Sequence, residues 1–359
     1  MEMNSLLESD WAWLPKDLLA TILDKLVLLS DYVRFGVVCK EWQYVVMENK
    51  VEFLQKKCCR QVPFLMVPTE DNREERRSLY SITHNKLYDF QLRVPYTKRL
   101  FGSSHEFDHV EDYIDIDPEI GYYDTTPVED EVDFEVMKAT VSADPVLSPN
   151  DYIPGDKAWT YIDRERFFLI HDVIYYKDNI FAVGYWSRII MVDLNKRVGE
   201  SMAAQVKVIA PKTDVVFDRT YLVESSRGDL LLVQRNMVYD EHNDCKHETT
   251  GFKVFKLLLE QLEQGLPKRV EMKGLDGDAM FLGDNHSICI SASKWPGCQP
   301  NSIYYTDDYI DLHFHPPCGR RDNGIFNVES GSFGTHYTLD PSHNHMPPSI
   351  WILPTMLGN

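Results

Sequence analysis

Five histidines crowd the last part of the chain: His313, His315, His336, His343 and His345. His313 and His315, two apart, would share one face of a strand, an arrangement that suits zinc. No carboxylate or cysteine stands at a spacing that completes a site, so no metal is expected. The seven cysteines are an odd number, Cys58 and Cys59 are adjacent, and no C-x-x-C pair occurs, which argues against zinc or dithiol chemistry. Asp115 and Asp117 resemble the start of a calcium loop, but the glycine and closing glutamate of an EF-hand are missing. The chain has no G-x-S-x-G elbow, no Walker loop, no H-E-x-x-H and no G-x-G-x-x-G. Arg227-Gly228-Asp229 reads as a hairpin turn, and Asn285-His286-Ser287 as a chance sequon. Neither catalytic residues nor a cofactor is expected.

The elements that would position side chains follow from composition. The 359 residues carry 37 Lys+Arg against 56 Asp+Glu, a net charge of −19, which excludes a basic nucleic-acid binder and an anionic-membrane binder. Thirteen of those acids fall between Glu106 and Glu135, where no Lys or Arg occurs. A block of that kind repels itself and reads as a solvated, flexible insertion. The most apolar early stretch, Leu18 to Leu29, is broken by Asp24 and Lys25 and is too short for a membrane helix. The N-terminus lacks the basic and apolar regions of a secretory signal, so cytoplasmic or nuclear residence and reduced cysteines, Cys298 and Cys318 included, are expected.

From Trp13 the sequence W-L-P-K-D-L-L-A-T-I-L-D-K-L places Leu14, Leu18, Ile22 and Leu26 four apart, with Leu19 and Leu23 widening the stripe. That spacing predicts an amphipathic helix, with Pro15 and Asp17 suited to its first turn. Ser30 or Asp31 can cap a second helix containing Val33, Val37 and Val38. A third starts near Lys40 and carries Trp42, Val45 and Val46. Three short helices bury little area, so part of the apolar stripe calls for a partner.

Leu14-Pro15-x-Asp17-Leu18-Leu19-x-x-Ile22-Leu23, followed by Val37-Val38-Cys39-Lys40-x-Trp42, resembles an F-box, the motif that docks on the SKP adaptor of cullin-based ubiquitin ligases. The resemblance implies an adaptor contact made by Leu14, Pro15, Leu18, Ile22, Leu26, Val38, Cys39 and Trp42. The alternative is a helical cap that packs on the rest of the chain.

Beyond about residue 80 the pattern changes to short β-branched and aromatic runs such as V-I-Y-Y (173–176), I-F-A-V (180–183) and R-I-I-M-V (188–192). Turns recur before strands at Asp178-Asn179, Arg227-Gly228, Asp276-Gly277 and Asn323-Gly324, and earlier at Asn85-Lys86. A period near fifty suits propeller blades, which cover one another's faces; a β-sandwich with ordinary hairpins is the alternative. The run from Gly251 to Leu266 reads as a strand continuing into a short helix.

Five segments are similar to the C-terminal, propeller-like domain of a large group of plant F-box proteins: Pro154 to Thr160, Tyr221 to Ser225, Phe281 to Ser287, Pro300 to Asp308, and Trp351-x-x-Pro354. The family's usual strand after Gly102-Ser103-Ser104-His105 is replaced by the acidic block.

The expected fold is α+β by domain: a short three-helix F-box over 10–50, a linker over 51–79, and then an irregular, all-β, propeller-like domain. That domain divides into a first part over 80–105, the acidic insertion over 106–150 and the main body over 151–359. The resemblance implies a non-catalytic substrate receptor of an SCF-type ligase, partnered by the SKP adaptor, through it by cullin, and by an unknown target protein. A non-degradative scaffold, for example one restraining a kinase, is the competing reading. Lys294, Trp295, Tyr304, Asp307 and Asp308 are the candidate target contacts, with blade packing as their other possible role.

Overall fold

The computed structural model describes residues 14–26, 29–57, 62–68, 77–90, 98–101, 109–112, 170–193, 205–210, 217–240, 243–263, 266–285, 287–308, 322–338 and 349–353. The chain divides into a helical unit, Met1–Gln61 with Leu353–Asn359, and a β unit, Val62–Ile352.

In the helical unit α1 spans Lys16–Lys25, α2 Leu29–Gly36 and α3 Lys40–Lys57. Pro15 caps α1 from just outside, its carbonyl accepting the Leu18 and Leu19 N–H groups at 2.9 and 3.1 Å. Leu19 and Leu23, four apart, bury one stripe of α1, and Tyr32, Phe35, Val45 and Val46 complete the interior. The Tyr32 hydroxyl satisfies itself there by donating to the Val46 carbonyl at 2.8 Å. Phe35 and Trp42 meet with ring centroids 4.3 Å apart. The second helix stops at Gly36, so Val37 and Val38, expected inside it, lie in the turn that follows and are exposed.

The first sheet of the β unit has the order β19-β1-β2-β3, from β1 (Phe64–Pro68), β2 (Arg77–Ser81), β3 (Lys86–Phe90) and β19 (Ile350–Ile352). A second, two-stranded sheet pairs β4 (Lys98–Phe101) with β5 (His109–Asp112). The third runs β6 (Ile170–Tyr176), β7 (Asn179–Gly184), β8 (Ile189–Asp193), β9 (Gln205–Ala210). The fourth runs β10 (Arg219–Glu224), β11 (Leu230–Asp240), β12 (Asn243–Glu263), β13 (Leu266–Met272). The fifth has the order β15-β14-β16-β17-β18, from β14 (Asp278–Leu282), β15 (Ile288–Ser291), β16 (Ser302–Tyr305), β17 (Gly324–Asn327) and β18 (Phe333–Gly334).

Strands with a period of two explain why the fourth sheet reads as continuous apolar runs. Leu222, Leu230 and Leu232 face the third sheet and pack with Ile174, Phe181 and Ile189. Their neighbours Tyr221, Val223, Leu231 and Val233 face the fifth and pack with Met280, Leu282 and Ile303. A sheet covered on both faces needs no polar alternation.

The repeat is expressed as contacts between adjacent sheets. Tyr176 donates to the Gly228 carbonyl, 52 residues on, at 2.8 Å; His171 meets Thr220, 49 on, at 2.9 Å; Arg227 pairs with Asp276, 49 on, at 2.7 Å. The edge strands β6, β10 and β15 are neighbours, so the turns at Asp178, Gly228 and Gly277 each precede the second strand from that edge, β7, β11 and β14. Asn85-Lys86 and Asn323-Gly324 instead precede the outlying strands β3 and β17, so their place in the period does not carry over into the fold. In the fifth sheet the edge strand β15 follows β14 in sequence, which makes β14 parallel to β16.

Three further expectations change. Strand β1 lies inside the stretch expected to be a linker, paired with β2 on one side and β19 on the other, so the β unit begins earlier and its two chain ends share a sheet. Residues 251–263 continue as strand β12 rather than turning helical, because β11 pairs with it up to Lys256 and β13 from Val254 onward. Within the acidic block His109–Asp112 forms strand β5; the remainder of 106–150 lies outside the described residues.

Candidate docking surfaces

On α1 the apolar residues form two stripes with different fates. Leu19 and Leu23 are buried, whereas Leu18 and Ile22 are 52% and 37% exposed. A helix that needed only to fold would not carry large side chains on the second stripe. Of the residues expected to meet an adaptor, Pro15, Leu18, Ile22 and Val38 are exposed, and Leu14, Leu26, Cys39 and Trp42 are half-buried. The exposed members are open to solvent. Trp42 also supports the fold through Phe35.

Between α1 and α3 lies a cavity of about 330 Å³ lined by Leu14, Leu19, Tyr44 and Val45, with Lys16, Lys40 and Glu41 also lining it. Lys16 reaches across to Glu48 at 2.5 Å and over the Tyr44 ring at 4.7 Å. Tyr44 and Met47 are exposed on α3 beside the buried Val45 and Val46, so this helix also carries apolar side chains outside its core contact.

The residues expected to touch a target divide. Lys294 is exposed, but Trp295, Tyr304, Asp307 and Asp308 are buried inside the β unit. Tyr304 stacks on Phe281 at 4.8 Å, and its hydroxyl accepts the Gln299 N–H at 2.9 Å. Asp307 and Asp308 enter a buried polar cluster. These four therefore serve packing, and burial withholds them from a partner's surface.

That cluster is centred on Arg235 of β11, which is wholly buried. Its Nε donates to Thr249 Oγ1 at 2.8 Å. One terminal nitrogen donates to Asp308 Oδ1 at 2.8 Å and the Thr306 carbonyl at 2.9 Å, and the other to Asp322 Oδ2 at 2.9 Å. The Tyr221 hydroxyl donates to Asp308 at 3.0 Å, and burial, then the Asp308 charge, pushes its ionisation far above the usual phenol range. His247 bonds Asp307 at 2.9 Å. Burial works against the Arg235 charge, but the Asp308 and Asp322 carboxylates outweigh it and the pKa lies above the ordinary value. The sequence shows where to look: Gln234-Arg235 interrupts the apolar run of β11, and a charge in a doubly covered strand must find partners.

A second set of contacts fastens β19. The Asn285 amide bonds both backbone groups of Trp351, which excludes it as a glycan acceptor. The buried Trp351 indole donates to the Leu282 carbonyl at 3.0 Å and packs edge-on against Phe281 and His336. A side chain at Gly283 would collide with Thr306 Oγ1. Among the described residues no three His, Cys, Asp or Glu side chains are placed to hold a metal, and no helix is long and apolar enough to cross a membrane.

The family described as KIB1-4 beta-propeller matches residues 79–327. Two Arabidopsis thaliana proteins described as F-box proteins are 24% and 22% identical, covering 85% and 83% of this chain and 89% of each relative. A third, also an Arabidopsis thaliana F-box protein, is 25% identical over 43% of this chain and 44% of its own. No solved structure matches the chain.

Proposed function

The chain belongs to the KIB1-4 beta-propeller family, and from that premise we propose that it is the substrate-recognition subunit of an SCF-type ubiquitin ligase. The helical unit docks on the SKP adaptor, and through it on cullin, while the β unit holds a target protein. Ubiquitin transfer belongs to the partners; this chain raises the target's effective concentration beside them. The observation that carries the reading is the second, exposed stripe of α1, with Leu18 and Ile22 turned away from a core that Leu19 and Leu23 already fill. The names of the two relatives that cover most of this chain support the same assignment. We place the protein in the cytoplasm or nucleus, where such ligases meet their targets.

Co-purification of an SKP adaptor with the full chain, lost on Leu18→Asp, is the expected result. Undiminished adaptor binding by Leu18→Asp/Trp42→Ala overturns the docking assignment. A captured partner whose abundance is independent of the proteasome points instead to a non-degradative scaffold.

A further inference from the structure

The β11–β12 hairpin outruns its sheet. Strand β10 begins opposite Arg235, and β13 ends opposite Val254, so from Asn236 to Lys253 the two hairpin strands pair only with each other within the sheet. An arm of this length needs anchors outside the ladder. On β11, Asp218 accepts the Met237 N–H at 2.6 Å and the Tyr239 hydroxyl at 3.0 Å. On β12, Thr249 donates to Asp322 at 2.6 Å. A further anchor is His247, whose Nε2 lies 2.9 Å from Asp307 Oδ1 with both side chains over nine-tenths buried.

We propose that His247 and Asp307 form a charge-dependent clasp that holds the projecting arm against the fifth sheet, fastened while the imidazole is protonated and loosened when it is neutral. The pair joins two elements that no backbone ladder connects: β12, and the segment leaving β16. Among the described residues, the charged or titratable groups facing the imidazole are Asp307 and Asp322 from the fifth sheet and, from β11, Arg235 and Tyr239, whose ring centroid is 6.2 Å away. Burial and Arg235 lower the affinity of His247 for its proton; the Asp307 bond and the charges of Asp307 and Asp322 raise it by more, so the net shift is upward. A base with a raised folded pKa contributes stability that is complete below its ordinary value, about 6.5, and is lost as pH rises through the folded value. The clasp therefore opens on the alkaline side. Opening frees β12 where it pairs with Val238 and Tyr239, two exposed apolar side chains of β11, while Asp218 still holds β11.

The test is hydrogen–deuterium exchange mass spectrometry on the full chain from about pH 6 to 9, with labelling times scaled for intrinsic exchange. Amides of 243–250 are expected to lose protection with rising pH, about tenfold for each unit by which the folded pKa exceeds the ordinary one, while those of 279–282 stay flat. His247→Gln and Asp307→Asn should each flatten the arm's profile. Exchange at the His247 ring carbon in the unmodified protein reads its pKa directly, whether or not the variants fold. A ring pKa at or below 6.5, a flat arm profile in the wild type, or an unchanged pH response in His247→Gln overturns the clasp.

Discussion

Arg235→Met removes one guanidinium and leaves a side chain of similar volume, so it isolates the charge from the packing. Arg235 is 0% exposed and ion-paired to Asp308 at 2.8 Å and Asp322 at 2.9 Å, both themselves buried. Taking one member from a buried ion cluster costs about 3–5 kcal/mol, because the carboxylates stay behind without compensation. Here Asp308 keeps the Tyr221 hydroxyl and Asp322 keeps the Thr249 hydroxyl, which places the expected loss near the lower end, about 3–4 kcal/mol. Against a stability of roughly 5–15 kcal/mol for a folded domain, the variant should fold but unfold at much lower urea concentration. Urea titration followed by tryptophan fluorescence measures the shift. The triple variant Arg235→Met/Asp308→Asn/Asp322→Asn should regain part of the loss, since the cost lies in uncompensated charge. A loss below about 1 kcal/mol for Arg235→Met, or no recovery in the triple variant, would refute the reasoning that the cluster clamps the fourth and fifth sheets together.

In the helical unit, Leu19→Ala or Leu23→Ala should cost about 2–5 kcal/mol, and Leu18→Ala or Ile22→Ala within about 0.5 kcal/mol; thermal melts of the full chain check the contrast, and equal costs would dissolve the two-stripe picture. Burial pulls the His336 pKa down to about 4. Between about pH 6.5 and 4 the unfolded chain therefore binds the proton that the folded chain refuses, and stability falls as pH drops through that window, by about 3 kcal/mol in all. His336→Phe should flatten this acid limb in urea titrations repeated across pH, and an unchanged slope would assign the limb to other groups. Trp351→Ala should cost about 3–5 kcal/mol and raise exchange of the β1 amides, since β19 is what pairs that edge. Gly283→Ala should lower the melting temperature, because its Cβ has nowhere to go beside Thr306.

The helical unit was largely legible because a period of 3.6 is written in few residues: the spacing of Leu14, Leu18, Ile22 and Leu26, widened by Leu19 and Leu23, marks a single broad apolar face on α1. What the spacing could not show was that this face divides into a covered and an exposed stripe, since that depends on Tyr32, Phe35 and Val46 arriving from other helices. In the β unit the turns at Asp178, Gly228 and Gly277 are readable because positive φ demands particular residues there. Strand β1 was missed because Phe64–Pro68 is short and includes proline, and it is defined by its pairing with β2 and with β19, nearly 300 residues later, rather than by a local pattern. Tyr304, Asp307 and Asp308 looked available as polar and aromatic residues near a strand end. Their burial follows from Phe281, His247 and Arg235, partners that no local pattern announces.

The central claim is that the exposed stripe of α1 is a docking surface for an SKP adaptor. Titration of purified adaptor against the full chain, wild type and Leu18→Asp/Ile22→Asp, tests it most directly, with far-ultraviolet circular dichroism confirming that both chains are folded. Leu18 and Ile22 are 52% and 37% exposed, so covering what remains contributes about 1–3 kcal/mol for the pair, and the variant should bind at least about tenfold more weakly. Equal affinity of the two folded proteins would contradict the assignment of this surface and of the receptor role built on it.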